Sequence, residues 1–110
     1  MSSREEKIYH IAAHYGYESQ SRQLIEEMAE LTVALNKWWR LNNGDMKIDR
    51  DLMVRYSTDI VEEIADVTIM LKQLQHLLEI SDGTLEETMD WKLDRTIKRI
   101  ENSLAELGHI

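Results

Sequence analysis

Four acidic side chains recur with one spacing. Glu27 and Glu30 stand three positions apart in LIEEMAELTVAL (residues 24–35), and Glu63 and Asp66 stand three apart in IVEEIADVTIML (residues 60–71), thirty-six positions later. Five positions of the two segments are identical, and Glu30 becomes Asp66. Residues three apart on a helix share a face, so each pair offers two carboxylates to one ligand. Oxygen donors with no His or Cys among them suit a hard divalent ion, Mg²⁺ or Mn²⁺. Two such donors on a rigid helix leave the ion's other positions for water and phosphate oxygens. A lone Glu-x-x-Glu is ordinary on a solvated helix face, and Glu26 and Glu62, farther round each helix, read as solvent-facing residues of that kind. The same pair twice, at one phase, points to a shared cation.

The phase is set by the aliphatic residues. At about 100° per residue, Leu24, Met28, Leu31 and Leu35 fall within roughly 60° of one another and predict a core stripe. Ile60, Ile64, Val67 and Leu71 do the same. Each acidic pair lies on the same flank of its stripe. If the stripes pack antiparallel, the acids converge at the edge of the core, where four carboxylates repel strongly unless cations sit between them.

The elements that must hold these residues are helices. The 110-residue chain has no Pro and four Gly, which predicts an all-α protein forming one domain over residues 1–110. A first helix is expected from Ser3, which with Glu6 makes a capping-box pattern, to about Tyr15 before Gly16. A second follows the polar Ser19-Gln20-Ser21 stretch and continues to Trp39 or Arg40. A third starts between Asp49 and Ser57 and ends near Ile80. Ser81-Asp82-Gly83 is the expected break, and Thr84 with Glu87 caps a fourth helix running to about Leu107. Short connections favour an antiparallel four-helix bundle. Its core is modest, so completion by oligomerisation, as a homodimer or homotetramer, is expected.

Composition narrows the partners. With 21 acidic and 13 basic residues the formal charge is −8, and a field of that sign repels nucleic-acid polymers. A phosphorylated small molecule can approach only with a bound cation. There is no cysteine, so thiolate chemistry is excluded. No apolar leader and no stretch approaching a membrane span is seen, so no membrane partner and a cytoplasmic location are expected.

EEMAEL followed by EEIADV resembles the paired ExxE and ExxD motifs of the MazG-like all-alpha nucleoside triphosphate pyrophosphatases. The resemblance covers the second to fourth helical segments. It implies a Mg²⁺-dependent enzyme that cleaves a (d)NTP between the α and β phosphates, giving a monophosphate and pyrophosphate, with Glu27, Glu30, Glu63 and Asp66 as metal ligands and catalytic carboxylates. Mg²⁺ in such a site neutralises the triphosphate and lowers the pKa of a bound water. Glu27 or Glu30 would orient that water or accept its proton. LNNGDMKIDRD (residues 41–51) reads as a local insertion relative to that family.

For substrate groups, Lys92, Arg95 and Arg99 share one face of the fourth helix and are candidates for phosphate oxygens. The other reading is a solvated basic face. Lys37 is a further phosphate candidate. Trp38 is better placed than Trp39 to stack on a base, against the alternative that both pack in a core or interface. Gln23, one turn before Glu27, could hydrogen-bond a base or sugar, or face solvent.

Two other metal chemistries fare worse. His10 and His14 have zinc spacing but no evident third ligand. A carboxylate di-iron bundle wants Glu-x-x-His on two helices, and only Glu106 with His109 offers it. The rival from another class is a non-enzymatic acidic helical module that oligomerises or docks a partner. It predicts exposed, independent acidic pairs and a fold indifferent to Mg²⁺.

Overall fold

The computed structural model describes residues 2–44 and 49–108, all in helices or their short connections, with no strand among them. Helix α1 spans Arg4–Asn43, α2 Arg50–Leu77 and α3 Asp82–Leu107. The His109 of the Glu-x-x-His pattern, and residues 45–48 of the inserted segment, lie outside the described residues.

Local chemistry sets each boundary. Ser3 caps α1, its Oγ accepting from the Glu6 backbone N–H at 3.1 Å, as the capping box predicts. Asp49 caps α2 by accepting from the N–H groups of Asp51 and Leu52. The expected gap around Ser19-Gln20-Ser21 is absent. Only Gly16 leaves helical geometry (φ 82, ψ 171), a conformation open essentially to glycine, and helix resumes at once. Two expected helices are therefore one kinked element. The break before α3 also falls earlier than expected. α2 ends at Leu77, Glu79 takes a left-handed φ of 57, and Ser81, not Thr84, is the cap, accepting from the Thr84 N–H at 3.1 Å.

The described chain divides into two compact units, residues 1–79 and 80–110. The first is a hairpin of α1 and α2. Tyr9 stacks on His76 (ring centroids 4.1 Å apart), the Gln20 Nε2 donates to the Gln73 Oε1 at 2.7 Å, and Lys37 lines a depression with Asp59. Rising positions on α1 meet falling positions on α2, so the pair is antiparallel. Its buried residues are Ile8, Ala12, Leu24, Ala34, Leu41 and Met70, with Gln20 and Gln73 satisfying each other among them.

The predicted core stripes are corrected here. Leu24 is buried, and Leu31, Ile60 and Val67 are half-buried, but Met28, Leu35, Ile64 and Leu71 are exposed. The seam is rotated toward the acidic flank, where the small Ala34 lets the backbones approach. This brings Glu27 and Glu63 toward each other across the seam, not to its rim.

The second unit is α3. Every one of its described residues is exposed, including an apolar stripe of Leu85, Met89, Leu93, Ile97, Ile100 and Leu104.

Candidate metal centre

The doubled motif converges within the hairpin. One carboxylate oxygen from each of Glu27, Glu63 and Asp66 lies within 4.8 Å of the other two. Glu30 joins from one side, raising the Glu63 carboxyl through its charge and lining a shallow depression with Glu63. Glu27 and Glu63 are half-buried, whereas Glu30 and Asp66 are exposed.

Electrostatics shows how much this convergence costs. Burial, then the charges of Glu27, Asp66 and Glu30, push the Glu63 carboxyl above the ordinary carboxylate range. Asp66 is raised as well, by its withdrawal from water and then by Glu27. One oxygen of Glu63, Oε2, is shielded from solvent and has no hydrogen-bond partner. A carboxylate oxygen removed from water without a donor is destabilised unless it takes a proton or a cation.

The donor set fits a hard divalent ion. Six oxygens at about 2.0–2.1 Å around Mg²⁺ are about 3–4 Å from one another, so three oxygens already gathered within 4.8 Å need only a small inward adjustment. All donors are carboxylate oxygens on rigid helices, and Glu63 Oε2 is free to ligate.

The other expected site residues divide into two groups. Gln23 donates from Nε2 to Glu27 Oε1 at 2.9 Å, so it orients a carboxylate instead of facing solvent. Lys37 lines the depression shared by Glu30, Val33, Ala34, Asp59 and Glu63. Trp38 is half-buried on α1, while Trp39 is exposed. Lys92, Arg95 and Arg99 are exposed on α3, in the other unit, where the Arg95 guanidinium lies 4.5 Å from the Trp91 ring centre. Glu26 and Glu62 are exposed, as expected. His10 and His14 enter no metal-ligating group among the described residues.

Asp59 is the residue that sequence reasoning missed. It precedes Glu63 by one turn, as Gln23 precedes Glu27, so the thirty-six-residue repeat carried the signal. Comparison with models of protein families, with curated proteins and with solved structures finds no match to this chain.

Proposed function

We propose that this chain is a Mg²⁺-dependent nucleoside triphosphate pyrophosphohydrolase of the MazG-like kind, cleaving a (d)NTP to the monophosphate and pyrophosphate. The observation that carries this reading is the unpartnered, water-shielded Glu63 Oε2 inside a cluster built from both copies of the acidic motif. Glu27, Glu30, Glu63 and Asp66 would hold Mg²⁺ (or Mn²⁺), which when bound supplies charge neutralisation for the triphosphate and acidifies water. Glu27 or Glu30 orients the attacking water toward a phosphoryl group at the α–β bridge and takes up its proton. The bridging P–O bond breaks and the monophosphate and pyrophosphate separate, the water oxygen staying on whichever phosphorus it attacked and the other product leaving with the bridging oxygen. Lys37, beside Glu30, receives phosphate oxygens. Phosphate contacts from Lys92, Arg95 and Arg99, base stacking by Trp38, a four-helix bundle completed in a homodimer or homotetramer, and a cytoplasmic location belong to the same reading.

The test is pyrophosphate release from a panel of NTPs and dNTPs with Mg²⁺. Glu63→Gln should lower turnover by about 100-fold or more with an unchanged helical spectrum. Release of orthophosphate would overturn the cleavage position, and an active Glu63→Gln would overturn the site. The exposed apolar stripe of α3 favours a second reading, a non-enzymatic interaction module, which predicts no turnover in the same assay.

A further inference from the structure

The thirty-six-residue repeat puts Glu27 and Glu63 at equivalent positions on the two helices, and both are half-buried. A long side chain ligates an ion well only if it is already held in place. Fixing a free glutamate costs rotamer entropy, and a ligand ordered only on binding subtracts that cost from the affinity. The two copies of the motif meet this need differently. On α2, Glu63 is held by its surroundings, with Oε2 shielded from water. The residue one turn before it is Asp59, an acid with no side-chain N–H to offer. On α1 the equivalent residue is Gln23, whose Nε2 donates to Glu27 Oε1 at 2.9 Å. Among the described residues, Glu27 is the one acid of the four that receives a side-chain N–H.

A glutamine bonded to an acid one turn along a helix is a common surface pair that adds little to stability. Three features set this pair apart. Gln23 and Glu27 are both half-buried, where water competes less for the carboxylate and the hydrogen bond is stronger. Glu27 also supplies one of the three oxygens gathered within 4.8 Å of one another, so whatever fixes Glu27 fixes one wall of the cluster. The third feature is the neutrality of the donor. An Arg or Lys at this position would hold Glu27 as firmly, but would set a positive charge beside the place a cation must occupy. An amide orients the carboxylate and leaves its charge to the ion. A carboxylate has about four lone-pair sites, so Glu27 can accept the amide and still ligate.

On the metal-dependent reading proposed above, we infer that Gln23 is a positioning residue of the metal centre: it holds Glu27 in place and thereby sets the affinity for a divalent ion. Its position on the acidic flank also made it a candidate for hydrogen-bonding a base or sugar, but its amide nitrogen is turned to Glu27 instead. The two roles separate cleanly. A contact to base or sugar matters only when nucleotide is present, whereas a hold on Glu27 acts on the metal alone.

The test therefore uses the full chain and metal without nucleotide. Mn²⁺ is titrated into the protein, the electron paramagnetic resonance signal of the free aquo ion gives the affinity, and Mg²⁺ follows by competition. Gln23→Met keeps an unbranched side chain and a similar helix propensity, removes the donor, and leaves the net charge of −8 unchanged. Its affinity for both ions should fall about 10–100-fold. Its melting temperature in chelator should move by no more than the few degrees such a pair is worth. Glu26→Gln, which removes a full charge from an exposed neighbour, should bind both ions nearly as wild type does, because salt screens that distance. Equal affinities in wild type and Gln23→Met would overturn the role of Gln23 and leave the metal centre standing. So would a loss of affinity that Glu26→Gln matches, or one accompanied by a collapse of the melting temperature in chelator. A wild-type chain that takes up neither ion overturns the metal centre itself, and the role of Gln23 with it.

Discussion

Glu63 holds a carboxylate oxygen that neither solvent nor any donor reaches, beside three other acids. Because the carboxyls of Glu63 and Asp66 are raised, the folded chain binds more protons than the unfolded chain between the ordinary carboxylate values of about 4 and the raised native values. Stability from this cluster is therefore greatest below the ordinary values and is lost as the pH rises through the native ones. In chelator, Glu63→Gln should melt a few degrees above wild type at neutral pH, and the difference should shrink as the pH falls toward about 4. Saturating Mg²⁺ should reverse the order, stabilising wild type by about 2.7 kcal/mol at one hundred times its dissociation constant and the variant much less. A difference independent of both pH and Mg²⁺ would mean that the four acids do not act together.

At the scale of elements, Gly16 joins two helical stretches without a loop. Its φ of 82 and ψ of 171 are incompatible with a side chain although the space beside it is open. Gly16→Ala should cost about 1–3 kcal/mol in a urea titration, either by straining the joint or by straightening it and unseating Ile8 and Ala12. Unchanged stability would mean that the kink contributes nothing to the packing of residues 4–15. The joint was legible in the sequence as a helix boundary, as was Ser3 at the first helix start, because glycine and capping residues act locally, whereas the start of α2 was bounded only between Asp49 and Ser57 until the Asp49 cap was seen. The rotation of the seam was not. Each helix carries two neighbouring apolar sectors, and periodicity cannot say which one meets the intramolecular partner. Gln20 and Gln73 look like surface residues until they are seen to satisfy each other inside. Ser81 and Thr84 both offer a capping hydroxyl, and only the backbone path through Glu79 decides between them. The acidic cluster was legible because it rests on the repeat, which is insensitive to the choice of seam. Asp59 was not read because its own pattern, an acid one turn before another, is common.

For the molecule as a whole, a charge of −8 means that an anionic substrate meets repulsion everywhere except where a cation stands. The thirty-six-residue repeat relates Glu27 to Glu63 and Glu30 to Asp66, but it fails just beyond them. The equivalents of Lys37 and Asp59 are Gln73 and Gln23, so a lysine marks the Glu30 end of the cluster while neutral amides border the Asp66 end. Under the hydrolase reading, Lys37→Gln should raise the KM for a triphosphate roughly tenfold and leave the Mg²⁺-dependent rise in melting temperature intact. An unaltered KM would mean that phosphate does not lie at the Glu30 end. The acids alone would accept a linear polyphosphate either way round. Under the same reading, the lysine at one end only would give the cluster a head and a tail, and a triphosphate laid along it would be read in a single direction.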